Sequence, residues 1–466
     1  MQNVLNLLTE FVSIPSVSVD PARRNDMERA RIFLKRELEA LGFAVRIGSD
    51  TNNAHPTVIA SIKGAPEKPT IGIYGHYDVQ PEDPVEAWTS DPFTLTQRDG
   101  KLYGRGVADN KGHVIQNLAA IAKVLKSKPH ASFVCVFEGE EEGGSSHFEE
   151  QLAEYEVVCR NSTTYIPLSD VSVWFVTDTG MRARNMPQIF YGLRGIVYFE
   201  LTVTTGGRDL HSGVYGNRVY NSIQVLTDIF ARVKDVHTGR ILIPGFYDKV
   251  RKLTEDERSQ LQMLVRPDEE EKREALVSVL CSQDGLPPSL VTKVLPSLDV
   301  HGIWGGYTGP GSKTVIPYTA SAKFSLRLVE YQKALEIEQL VRAYISQLIP
   351  DGVKYELALD SLADPFFTAP PHTVRETGTD AEFVKRVFGV IEQELSGVFG
   401  NKVVYNRSGG SIPAAESFQR LYGKPVALMG FTLPDDNIHA PDENFDTEMF
   451  ERGVEALFRI YTKMRK

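Results

Sequence analysis

Hydrophobic positions along this chain follow two rhythms, and their order changes twice. Over roughly the first 190 residues, short β-branched and aromatic runs alternate with stretches whose apolar positions recur every three to four residues. The stretch 27–41 (MERARIFLKRELEAL) predicts a helix that stops at Gly42, a residue suited to the turn after a helix. Strands are expected near 44–47, 57–62 and 70–74. A helix with a broad apolar face follows at 114–125, then buried strands at 132–137 and 171–177. Strands separated by helices predict a largely parallel sheet covered on both faces.

Near residue 191 the texture changes. Residues 195–205 (GIVYFELTVTT) alternate as a half-buried strand, and a helix is expected from about 220 to 233. The charged stretch 254–280 reads as solvated helices. Strands are expected at 289–295 and 321–329, a helix at 333–348 and a strand at 353–359. This block predicts an α+β domain, one antiparallel sheet covered on one face. The Pro-containing stretch 364–371 reads as a return linker. The first rhythm then resumes with a helix at 379–395, a strand at 425–431 and a helix at 447–464. The expected organisation is an α/β domain built from 1–190 and 369–466, interrupted by an inserted domain over 191–368.

Composition narrows the classes. At 466 residues the chain exceeds one ordinary core. Apolar residues make up 42% and charged residues 24%, as in ordinary globular proteins. With 61 acidic and 51 basic residues the formal charge is -10, and no strongly basic patch marks a nucleic-acid surface. Cys135, Cys159 and Cys281 are too few and too scattered for a disulfide framework or a thiolate cluster, which suits a reducing cytoplasm. The opening segment lacks a basic start and is interrupted by Glu10. Its residues Val4, Leu5, Leu8, Phe11 and Val12 recur at helical spacing, so it reads as a surface helix and not a secretion signal. No apolar stretch is long enough for a membrane span.

The candidate chemistry lies at the ends of the apolar runs. His76 and Asp78 close one strand (TIGIYGHYDVQP), and alternation puts them on one side of it. Asp109 (GRGVADNKGH) precedes a helix and alone would read as its N-cap. The run Glu140-Glu141-Glu142 follows a buried strand, where like charges repel unless a cation or proton is near. Asp178 closes another run (FVTD). His439 sits among Asp435, Asp436 and Asp442, and alone would read as a surface-loop histidine. Imidazoles and carboxylates without thiolates suit two divalent cations sharing one site. Three carboxylates against two such cations leave a net positive charge that can polarise a water or a carbonyl.

Taken together, GHYDVQP, GRGVADNKGH, EGEEEGGS, DTG, RDLHSGVYGN, GSKTVIP, FSLRLV, NRSGGSIP and the late His439 resemble the co-catalytic di-metal peptidase family of carnosinases, cytosolic non-specific dipeptidases, aminoacylases and glutamate carboxypeptidases. The resemblance spans almost the whole chain in order and is strongest to the carnosinase-like dipeptidase branch. It implies an aminopeptidase-like α/β catalytic domain with an inserted lid that also mediates homodimerisation. It implies that His76, Asp109 and Asp178 hold one metal, and that Asp109 bridges to a second held by Glu142 and His439. Zinc is the expected ion, with manganese or cobalt as alternatives. Asp78 would orient His76, and Glu141 would be the general base for a metal-bridging water. His211 would stabilise the tetrahedral oxyanion in the other subunit, and Arg327 would grip a substrate carboxylate. Thr314, Arg407, Gly410 and Ser411 would be further substrate contacts, with His372 a weaker addition.

The implied activity is hydrolysis of the amide bond of dipeptides or small peptides. N-acyl amino acid deacylation shares the same chemistry, and a catalytically silent dimeric binding protein is the alternative from another class. Neither nucleic acid nor membrane is expected as a partner. His55, His113, His130, His147, His237 and His301 are read as structural or surface residues. Asn110 stands where many relatives of the family carry an acid or an apolar residue.

Overall fold

Four parallel strands run side by side through the largest sheet, in the order Ser132–Glu138, Thr70–His76, Val173–Val176 and Val426–Leu428. Antiparallel strands flank them, with Val58–Ile62 and Ala44–Ile47 on one side and Gln188–Leu193 on the other. The computed structural model that shows this describes residues 2–50, 54–368, 370, 379–410 and 412–464. Parallel strands need crossover connections, and here they are helices such as Lys111–Leu125 and Phe148–Arg160.

The central strands are apolar on both sides because both sides are covered. Phe133 and Phe175 meet Tyr461 of the helix Thr447–Lys463 on one face. On the other, Trp174 stacks on Phe418 of the helix Pro413–Tyr422 with centroids 3.8 Å apart, and Tyr74 packs edge-on against Phe148 and Phe418. Gly72 faces that indole. A side chain there would collide with the Trp174 ring, so the register of neighbouring strands is locked by a large residue packed against none. The helix Arg24–Ala40 ends where the sequence predicts, with Gly42 at φ 89°.

The chain separates into two compact units, Met1–Tyr191 with Thr368–Asn406 and Ile412–Lys466, and Gly192–Phe367 with Arg407–Ser411. The second unit carries a four-stranded antiparallel sheet in the order Ser297–Gly305, Thr319–Leu328, Gly195–Thr204, Lys354–Ala363. Along Gly195–Thr204 every second residue is buried. Val197, Phe199, Leu201 and Val203 join a core with Leu226 and Ile229 of the helix Ser222–Val233 and Val341 of the helix Ala334–Leu348.

Two expectations need correction, and one strand lies where none is expected. Residues 289–295, read as a strand, form the helix Pro288–Val294. Its β-branched composition suggested a strand, but proline suits the first helical turn, and Leu290 and Val294 bury one helical face. The neighbouring strand Ser297–Gly305 was not anticipated. It is an edge strand with mostly exposed residues and a register shift between Val300 and Gly302, so it shows no clean alternation. The linker expectation at 364–371 overlooked the short strand Phe366–Phe367, which pairs with Leu193 and Gly192. Among the described residues no helix is long and apolar enough to cross a membrane, and the three cysteines are free.

Gly72→Ala is expected to lower stability by roughly 1–3 kcal/mol through overpacking against Trp174. A urea midpoint unchanged from wild type would contradict this packing.

Candidate metal centre

Parallel strands present their carboxyl ends along one edge, where α/β sheets carry their chemistry. His76 is the last residue of Thr70–His76 and is fully buried. Asp178 lies two residues past Val173–Val176. Glu142 lies in the turn Glu141–Gly143 that follows Ser132–Glu138, and Gly144 closes that turn at φ 93°. Asp109 sits in the loop before the helix Lys111–Leu125. His439 lies beyond Val426–Leu428, itself at φ 62°.

These side chains converge as two donor groups. His76, Asp109 and Asp178 form one, and Asp109, Glu142 and His439 the other, with the donor atoms of each within 4.8 Å of one another. Asp109 belongs to both. Its Oδ1 lies 2.9 Å from His76 Nε2 and its Oδ2 3.0 Å from His439 Nε2. Asp178 Oδ1 is 3.5 Å from His76 Nε2, and Glu142 Oε2 is 3.2 Å from His439 Nε2. His76 turns Nδ1 toward Asp78, 3.1 Å from its carbonyl and 3.3 Å from its carboxylate, which leaves Nε2 facing the site. Asp78 also accepts from Ser18 Oγ at 2.7 Å and from the Glu142 backbone N–H at 3.1 Å, so it holds two donor residues at once.

The electrostatics of this cluster call for positive charge. Burial disfavours a protonated His76, yet the Asp178, Asp109 and Asp78 carboxylates outweigh it and hold its pKa well above the ordinary value. Asp109 and Glu142 raise His439 to about 10. Burial disfavours the Asp109 anion, but the two imidazoles hold its carboxyl far below the usual range. Burial raises Glu142, Asp178 and Glu141, with neighbouring carboxylates adding to it. Protons on the imidazoles thus balance the carboxylates. A divalent cation can replace those protons, and the buried Glu142 Oε1 has no hydrogen-bond partner among the described residues. Nitrogen and oxygen donors in two triads sharing a carboxylate fit two divalent metal ions.

Several supporting residues were not anticipated. Asn110 donates from Nδ2 to Asp178 Oδ1 and to the Thr177 carbonyl, both at 2.8 Å, which explains an amide beside Asp109. Gln80 Nε2 donates to Glu142 Oε2 at 2.8 Å. Glu140 faces away from both triads. It accepts from the backbone N–H groups of His55 and His147 and lies 3.0 Å from His147 Nδ1, bracing the turn that carries Glu141 and Glu142. His113 is held neutral by burial, its pKa lowered to about 4. It donates from Nδ1 to the Ala108 carbonyl and accepts the Phe431 N–H on Nε2 at 2.9 Å. The only sequence cue to these roles was nearness to the motifs.

The second unit holds the other expected residues. His211 and Val315 are partners in a two-stranded ladder, and Ser212 N–H donates to the Thr314 carbonyl at 3.1 Å, so His211 and Thr314 are neighbours. His211 is exposed, and its Nδ1 accepts from Gly213 N–H at 2.9 Å. Arg327 lies part-buried in Thr319–Leu328. Arg407 is buried, donating to Glu330 at 2.7 Å and to Glu257 at 2.9 Å. The Gly410 carbonyl accepts from Arg194 N–H. Ser411 and His372 lie outside the described residues.

The sequence profile of Peptidase family M20/M25/M40 matches residues 72–463. The chain is 31% identical over 469 residues to the Cys-Gly metallodipeptidase dug1 of Schizosaccharomyces pombe, covering 97% of this chain and 94% of that one. It is 29% identical over 470 residues to the Beta-Ala-His dipeptidase of Homo sapiens, covering 98% and 89%. Among solved structures, the M20 family metallo-carboxypeptidase Sso-CP2 from Sulfolobus solfataricus superposes with TM-score 0.84 at 28% identity, covering 99% of each chain. Human carnosine dipeptidase 1 gives a TM-score of 0.74 at 28% identity, covering 99% and 96%.

Loading the metal-free protein with zinc or manganese near pH 7.5 is expected to release protons, because His439 and His76 give theirs up to become ligands. Calorimetric titration in buffers of differing ionisation enthalpy reads this, and a heat independent of buffer would contradict it. The metal-free protein is also expected to lose stability as pH rises. A histidine raised from 6.5 to about 10 by folding stabilises fully below the lower value and loses that contribution through the higher one. A metal-free melting temperature that climbs between pH 6.5 and 10 would contradict the sign.

Proposed function

The chain belongs to peptidase family M20/M25/M40, and from that premise we propose that it is a dipeptidase that hydrolyses the amide bond of small substrates carrying a free carboxylate. One observation carries this reading. Two donor triads share Asp109, while Glu141, part-buried beside the same groups, belongs to neither triad. A carboxylate that ligates a cation loses its proton affinity, so a base must stand beside the ligands and not among them. Compared relatives named for Cys-Gly and Beta-Ala-His dipeptides point to the same substrate class.

His76, Asp109 and Asp178 would hold one cation, and Asp109, Glu142 and His439 the other. When bound, the pair supplies Lewis-acid polarisation and lowers the pKa of water. We assign zinc, with manganese and cobalt as substitutes, because the donors are imidazole and carboxylate. Glu141 takes a proton from the attacking water and hands it to the departing amine. Asp78 keeps the His76 tautomer fixed throughout. The finer assignments rest on the resemblance of DLHSGVYGN, GSKTVIP, FSLRLV and NRSGGSIP. His211 would lend its imidazole to the oxyanion of a partner subunit in a homodimer. Arg327, Thr314, Arg407, Gly410 and Ser411 would contact substrate.

Cys-Gly and Beta-Ala-His should be hydrolysed in preference to N-acetyl and N-succinyl amino acids, and a chelator should abolish turnover until zinc, manganese or cobalt is restored. Faster cleavage of the N-acyl compounds would identify a deacylase. No cleavage of either class with any of the three metals would overturn the enzymatic reading. Glu141→Gln should keep both metal ions by elemental analysis and lose roughly 10²–10⁴-fold in kcat. Unchanged turnover with both ions present would remove Glu141 as the base.

A further inference from the structure

Glu443 lies fully buried in the larger unit, four residues beyond His439, and its carboxylate accepts from four donors. Arg105 Nη1 at 2.7 Å and Gly106 N–H at 3.0 Å meet Oε2, while Ala108 N–H at 2.9 Å and Asp109 N–H at 3.1 Å meet Oε1. Three of these donors are backbone groups of the short loop that presents Asp109. Such a loop has no ladder or helix to satisfy its N–H groups, so the anion serves as the template on which it turns. Arg105 balances the buried charge. Its Nη2 reaches the Pro81 carbonyl at 3.0 Å, in the segment that continues from His76, Asp78 and Gln80.

A second observation comes from the other side of the carboxylate. Asn437, His439 and Asp442 adopt φ of 53°, 62° and 57°, a region that residues with a Cβ seldom occupy. Asn, Asp and His enter it more readily than other such residues, and the neighbouring backbone holds them there. Here Gly104 N–H donates to the Glu443 carbonyl at 3.0 Å, Asn444 N–H to the Asp436 carbonyl at 2.9 Å, and Asn444 pairs with Tyr103 in a short ladder.

We infer that Glu443 is the positioning residue for both cation positions. It sets the Asp109 backbone so that one carboxylate oxygen faces His76 and the other His439. It also ties the unusual His439 loop to that same backbone. The inference rests on the two-cation reading of the site and is independent of the substrate.

The test compares Glu443→Gln with the double variant Glu443→Gln/Arg105→Gln, in the full-length chain. Zinc and manganese affinities are measured by chelator competition, and the melting temperature on metal-free protein. Glu443→Gln should lower both, because it also strands the Arg105 charge. The double variant removes that stranded charge and should recover much of the melting temperature. Its ion affinity should remain weaker than wild type by roughly 10–100-fold, the usual effect of losing a residue that orients ligands. Recovery of wild-type affinity in the double variant would overturn the inference, since Glu443 would then only neutralise Arg105. Wild-type protein that binds no ions would overturn the metal centre itself. Wild type binding two ions with the double variant its equal would overturn only the role of Glu443.

Discussion

Carboxylates crowded together and partly screened from water repel one another, and the strand ends of the larger unit are organised around cancelling that repulsion. Asp78, Asp109, Glu141, Glu142 and Asp178 come together at the carboxyl ends of neighbouring parallel strands and their loops. The two donor triads are built from imidazoles and carboxylates. The positive charge comes from two imidazoles whose own pKa values are driven upward by the same acids. Imidazoles that bind cations give up such protons in doing so. Arg105, in the loop that carries Asp109, pairs instead with the buried Glu443.

The sheet makes this crowding possible. The strand Val173–Val176 is packed on both faces by aromatic residues from different helices, Trp174 on Phe418 and Phe175 on Tyr461, which stiffens the sheet beneath the site. Gly72 beneath Trp174 shows how little slack remains. The donors therefore approach one another because the strands beneath them are rigid. Attraction among the donors alone would not hold them there.

Much of this was legible in the residues, and the reason is physical. A β-branched run that ends in His76 or Asp178 has few ways to be folded, because the run must be buried and its polar end must reach an edge. The alternation in 195–205 likewise announces a sheet with one covered face, and the structure has one. What escaped was set by contacts between segments remote in sequence. Glu443 looks like one more acid in a solvated stretch, and only the fold brings four donors to it. The strand Ser297–Gly305 escaped because an edge strand buries too little to leave a pattern. The helix Pro288–Val294 was misread because its β-branched residues speak for a strand until the proline at its start is given full weight. The pairing of Asp109 with His439, 330 positions apart, could be suspected from family resemblance but not from spacing.

That separation bears on how the protein comes into being. Every donor of the triad formed by His76, Asp109 and Asp178 has left the ribosome well before His439 is synthesised. The nascent chain thus carries one complete set of ligands and one set lacking its last member. Glu443, whose carboxylate holds the backbone of Asp109, is made later still, so the ligand both positions share is braced only once the C-terminal segment docks.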